Sequence, residues 1–222
     1  MRRFGEGPLA RAAAFVYHLV VVEVLTLLAV SPGLVALTLL DRDASNVPLA
    51  VGCAVPVGPA LSAALYALRH RRLDLADLHP AAAFWRGYRL NAWGVLRIWV
   101  PWLGALAVVG TTLAHPGAAG VPGWWVAVLA VLAAVSAVWV TNSLVITSLF
   151  AFRARDVARL AAYFVVRTPR VTLANACLLV VVVALAAVAS ELVVAVLGSV
   201  LALVLLRNCR PMIDRVREEF TA

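Results

Sequence analysis

Glu23 is the residue in this chain whose type and position could most readily do chemistry. It stands within a long apolar run, with the mainly apolar stretch Leu25–Val30 beyond it. A carboxylate at such a depth in a bilayer is costly and normally faces a bundle interior or a wet cavity. Tyr17 and His18 precede it by one to two turns, but His18 is five residues away and off the i,i+4 face. Two readings follow. Glu23 can relay a proton or solute, or it can be a protonated carboxyl bonded to a polar group on a neighbouring span. The second is the expectation, with Asn142 or Asn175 as partner by type. Those two asparagines are themselves expected to hydrogen-bond between helices. Pro56 and Gly58 complete the candidate intramembrane polar site. They lie in a run rich in helix breakers, Pro48, Gly52, Pro56, Gly58 and Pro59, and broken helices expose backbone groups to solutes. The same run carries small residues four apart, Ala50, Ala54, Gly58 and Ser62, a stripe that lets another helix come close.

Other chemistry is missing from the sequence. There is no P-loop, no dinucleotide glycine fingerprint, no HExxH and no GxSxG. Few ionisable groups could converge inside a membrane, so no enzyme, cofactor or metal site is expected. Cys53, Cys177 and Cys209 have no CxxC spacing, and Cys53 and Cys177 are expected to be buried thiols. All 19 basic residues are arginine. The basic pI could suggest nucleic acid, but the arginines fall between long apolar segments, and a membrane explains that better.

The elements that must position these residues are apolar helices. Hydrophobic residues make up 64% of the chain and charged ones 14%, with mean hydropathy +0.97. Soluble domains have about 45–50% and about 25%. The reading is an all-α polytopic bundle occupying residues 1–222 as a single transmembrane domain. Six spans are expected: 12–40 with a break at 31–33, 47–68, 95–114, 124–150, 171–189 and 192–206. With both termini cytoplasmic, every arginine except Arg42 falls inside, as the positive-inside rule requires. That holds only if the chain turns back at Ser190-Glu191 and not as one long helix.

Two inner segments are expected to form short amphipathic helices in the cytoplasmic headgroup layer. One is Asp74–Asn91, where Leu75, Leu78, Phe84, Trp85 and Tyr88 share a stripe and Pro80 suits a first helical turn. The other is Arg153–Arg167. Trp85, Arg86, Arg89, Asn91, Arg155 and Arg159 form the candidate cytoplasmic interface, toward lipid or a protein partner. Trp93, Trp99, Trp102, Trp124 and Trp125 are expected to form an aromatic belt.

Three segments together carry a resemblance: Ser31-Pro32, the stretch Gly58-Pro59-Ala60-Leu61-Ser62-Ala63-Ala64-Leu65-Tyr66-Ala67-Leu68-Arg69, and Phe84-Trp85-Arg86-Gly87-Tyr88-Arg89-Leu90-Asn91. In these the chain resembles the YesL-like family of bacterial membrane proteins, a domain of unknown function. The resemblance covers about residues 12–110, and the extra prolines of the second span depart from it. It implies a bacterial plasma-membrane protein encoded beside carbohydrate-uptake genes, with no established activity. The expectation is a non-enzymatic accessory of carbohydrate uptake with the bilayer, and a sugar-transporter permease, as partners. The alternative is a small secondary transporter with its pathway near Glu23 and the broken second span.

Overall fold

The computed structural model describes residues 7–41, 43–71, 79–115, 117 and 122–220. Arg2, Arg3, Arg42, Arg72 and the 74–78 part of the first inner segment lie outside the described residues. Within them all regular structure is helical: α1 Pro8–Thr38, a 3-10 turn Ala44–Asn46, α2 Val47–Gly52, α3 Val57–Arg69, α4 Pro80–Ala114, α5 Gly123–Leu149, α6 Ala154–Arg167, α7 Pro169–Val188, α8 Glu191–Val196, α9 Gly198–Asn208 and α10 Arg210–Phe220. Four helices, α1, α4, α5 and α7, are long and apolar enough to cross a membrane, and there are five if Ala44–Gly52 and α3, bent by 41°, count as one span.

The bundle is apolar outside and partly polar inside. Val16, Val20, Val24, Leu28 and Val35 line the exposed side of α1, and Val180, Val183 and Val188 that of α7. Ser62, Thr141, Asn142, Ser143, Ser148, Asn175 and Ser199 are buried. Lipid supplies no partner for hydroxyls and amides, so these turn inward, and apolar side chains face the tails.

Cross-helix contacts fix the directions. His18 Nε2 lies 3.2 Å from the Ala67 carbonyl, so α1 and α3 are antiparallel. Asn91 donates to the Ser148 carbonyl (3.0 Å), pairing the start of α4 with the end of α5. Asn175 Nδ2 lies 3.2 Å from Cys209 Sγ. Residues 171–206 therefore fold back on themselves, and Ser190 is the turn, its Oγ capping α8 by accepting from the Val193 N–H. Arg69, Arg71, Arg207 and Arg210 gather at one end of the bundle, with Asp41, Asp43, Ser190 and Glu191 at the other.

Several expectations are corrected. No break occurs at 31–33: α1 runs through Pro32. Proline removes the N–H that would bond the carbonyl four residues back, and Ser31 Oγ donates to that carbonyl, Leu28 O, at 2.9 Å instead. The segment 80–91 is not a separate interfacial helix but the first three turns of α4, with Pro80 in its first turn and no interruption before Ala114. Asn91 is accordingly not a free interface residue, because its amide is engaged inside. The expected span 192–206 is two helices meeting at Leu197. Cys177 is exposed and Cys53 half-buried; Cys209 is the fully buried thiol, because α7 turns Cys177 outward and Asn175 inward. Trp99 and Trp102 also leave the expected belt and point into the bundle.

Candidate functional site

The interior is organised around interrupted helices. An interruption strands backbone groups that lipid cannot satisfy. At the first, residues 53–56 between α2 and α3, the Trp99 indole N–H donates to Ala54 O at 2.9 Å. Trp99 also lies flat against Gly58, where an added Cβ would come within 2.7 Å of its Cγ. Gly33 of α1 presses on the same interruption, meeting the Cys53 carbonyl and the Pro56 ring. The small residues let two helices close on the break.

At the second interruption, Glu23 Oε2 accepts the Ser199 backbone N–H at 2.6 Å. Ser199 is the second residue of α9, so a carboxyl on α1 caps the positive end of a helix that starts inside the bundle. This corrects the expected partnership of Glu23 with Asn142 or Asn175. A helix N-terminus offers an oriented, otherwise orphaned donor, and the two amides are engaged with each other. Asn175 Nδ2 donates to Asn142 Oδ1 at 3.0 Å. Of the four buried side-chain polar atoms without a partner among the described residues, three lie here: Glu23 Oε1, Asn142 Nδ2 and Asn175 Oδ1. Turning both amides over exchanges their roles and leaves the same remainder, one donor and one acceptor.

Gly33, Ala54, Trp99 and Asn175 line an apolar cavity of about 410 Å³, within the ~300–1,000 Å³ range of small-molecule pockets. Thr26, Leu61, Trp99, Thr141, Asn175 and Gly198 are among its walls. A second hollow, lined by Asp41, Asp43, Asn46, Ser190 and Glu191, shares Leu34, Leu37, Ala50 and Glu191 with it and so forms its vestibule. The Ser45 hydroxyl, bonded at 2.8 Å, and then the Ala44 and Ser45 backbone N–H groups hold Asp43 below the usual carboxylate range. The vestibule therefore keeps a fixed negative charge at neutral pH.

Of the sequence candidates, Asn175 reaches the cavity wall and Asn142 lies behind it. Glu23 sits one turn from Thr26, against Gly198. Gly58 is covered by Trp99, Pro56 stands at the α2–α3 break, and His18 lies further toward the arginine-rich end. Trp85, Arg86 and Arg89 are exposed around a shallow concavity on α4, and Arg155 and Arg159 are exposed on α6, whose Val157, Ala161 and Phe164 face inward. Sequence reasoning missed Ser199, Trp99 and Arg71. Ser190-Glu191 marked the turn, and Gly198, directly after Leu197, is the signal that could have marked the second break. Among the described residues no cluster of His, Cys, Asp or Glu could hold a metal. Comparison with protein-family models, curated proteins and solved structures finds no match to the chain.

Proposed function

We propose that the chain is a six-crossing protein of a bacterial plasma membrane, with both termini cytoplasmic, and that it is a small non-enzymatic carrier for an amphipathic solute. The observation that carries this reading is the apolar cavity with the unpaired Asn175 amide oxygen at its wall and an acidic vestibule above it. A solute with an apolar body and a hydroxyl suits it: the hydroxyl donates to the Asn175 oxygen, and turning the Asn142–Asn175 pair over would offer it a donor instead. The sixth crossing is the α8–α9 arm, whose 18 helical-register positions from Glu191 to Asn208 reach about 27 Å at ~1.5 Å each, close to a core of ~30 Å. The amphipathic helix α6 then lies in the inner headgroup layer.

The test is saturable quenching of Trp99 and Trp102 fluorescence by a brominated long-chain alcohol, followed by its flux in proteoliposomes. The alcohol is expected to quench at lower concentration than the matching brominated alkane, and Asn175→Leu to weaken it about tenfold. Equal quenching by alcohol and alkane would remove the reading. Binding without flux would leave a receptor or accessory, not a carrier.

A second reading, an accessory beside a sugar-transporter permease, draws support from the resemblance and from the exposed Trp85, Arg86 and Arg89. An apolar cavity does not suit a sugar, so in that reading the partner, not this chain, moves the carbohydrate. Co-purification with a permease, lost in a Trp85→Ala/Arg89→Ala variant, would support it.

A further inference from the structure

Arg71 follows the end of α3, where the chain leaves the apolar belt. Its guanidinium lies over the Phe15 ring of α1, 5.2 Å from the centroid. Among the described residues its Nη1 is buried and has no hydrogen-bond partner. A buried guanidinium nitrogen left unpaired is costly, since burial removes water without replacing it. The charges that act on it make matters worse. They are Arg207 in the last turn of α9 and Arg210 at the start of α10. Burial first, and these two cations next, lower the affinity of Arg71 for its proton from the ordinary arginine range. α3 packs against α9, so Arg71, just past the end of α3, comes near Arg207 and Arg210 at the α9–α10 junction, and three like charges there repel unless an anion stands among them.

We propose that Arg71, Arg207 and Arg210 form a phosphate-binding site at the arginine-rich end of the bundle. A phosphate meets guanidinium forks through its anionic oxygens, four in the free ion and two non-bridging ones in a lipid diester, each able to accept more than one N–H bond. The ring of Phe15 holds the Arg71 plane in place, so less side-chain freedom is lost on binding. The site sits where apolar helices give way to charged termini, the depth of lipid headgroups, and basic pockets between spans take such groups. The phosphate is the diester of an anionic lipid or a free phosphate ion; either brings anionic phosphoryl oxygens to the three arginines.

The experiment uses the full chain, purified in neutral detergent and stripped of lipid, with unfolding temperature as the readout. The probes are phosphatidylglycerol, phosphatidylcholine as the headgroup without net charge, and inorganic phosphate. Phosphatidylglycerol or inorganic phosphate is expected to raise the unfolding temperature of the parent saturably, by about 2–4 °C or more. A shift with phosphatidylglycerol alone assigns a lipid headgroup, and one with inorganic phosphate alone a free ion. Both residues replaced in Arg207→Gln/Arg210→Gln are exposed, so that variant is expected to fold. Without anion it should unfold at a higher temperature than the parent, because repulsion is relieved, and with anion it should gain nothing. A charge-matched Arg153→Gln/Arg170→Gln variant should keep the parent's response. An equal anion shift in the parent and the Arg207/Arg210 variant, no anion shift in the parent, or a shift as large with phosphatidylcholine would overturn the site.

Discussion

Glu23 and Ser199 are 176 positions apart in sequence, yet their bond ties α1 to α9. The bond needs only an acceptor at Oε2. Glu23→Gln keeps an amide oxygen there, so thermal stability in detergent should change little. Glu23→Leu leaves the Ser199 N–H unpaired inside the bundle and should cost about 1–3 kcal/mol. Equal stability of the Leu and Gln variants would mean the cap is not a structural tie. Gly58 tests a different force. Any side chain there meets the Trp99 ring, so Gly58→Leu should cost about 1–3 kcal/mol by overpacking and disturb the indole bond to Ala54. Gly52, which has open space around it, should tolerate Ala with a much smaller change. A silent Gly58→Leu in the same melting assay would deny the close contact.

Among the elements, the interruptions show how a membrane bundle treats stranded backbone. Ser31 repairs the proline gap within α1, whereas Trp99 and Glu23 repair the α2–α3 and α8–α9 breaks from other helices. The local repair leaves a continuous helix. The distant repairs leave bends, because the donor or acceptor must approach from the side. The Ser190 turn places Glu191 beside Asp41 and Asp43, so labels at Asn46 and Glu191 should report the same membrane side and a label at Ala222 the opposite one. Labels at Asn46 and Glu191 on opposite sides would contradict the hairpin. The C-terminal helix α10 is the element least like the rest. It is strongly amphipathic, and its Met212, Ile213 and Val216 are buried. Met212→Asp should therefore lower the melting temperature clearly, while Asp214→Asn, on the exposed face, should not.

For the whole molecule, stability and binding pull in different directions. A bundle in lipid gains little from hiding apolar groups from lipid tails, so packing and internal hydrogen bonds carry more of the specificity. Against that background, the unpaired amide donor and acceptor of Asn142 and Asn175 are a standing cost, one that the proposed binding role would explain. Replacing both Asn142 and Asn175 with Leu removes that cost. The double variant should be about as stable as the parent, or more so, yet lose the preference for a hydroxyl-bearing ligand. A marked loss of stability with unchanged ligand preference would show that the pair holds the helices and does not read a ligand.

Composition, hydropathy and the placement of arginines determined the class of this protein: an α-helical chain built of apolar helices, with a turn at Ser190-Glu191. Those properties are local sums over about 20 residues, so they can be read along the chain. Pro80 as a first-turn residue and a separate helix over 154–167 were legible for the same reason, since capping and amphipathic periodicity are short-range. Glu23, Asn142, Asn175 and Gly58 stood out by type, because polar or minimal side chains in apolar runs are conspicuous. Their partners did not. Whether Glu23 meets an amide or a helix end depends on where α9 begins, and Gly198, the one local signal there, does not say which distant side chain will cap it. The continuity of α1 through Pro32 depends on the rotamer of Ser31, and the inward turn of Trp99 on the space left by Gly58. The convergence of Arg71 on Arg207 and Arg210 joins residues more than a hundred positions apart. Contacts of that kind arise from how helices pack, and only the tertiary structure decides them.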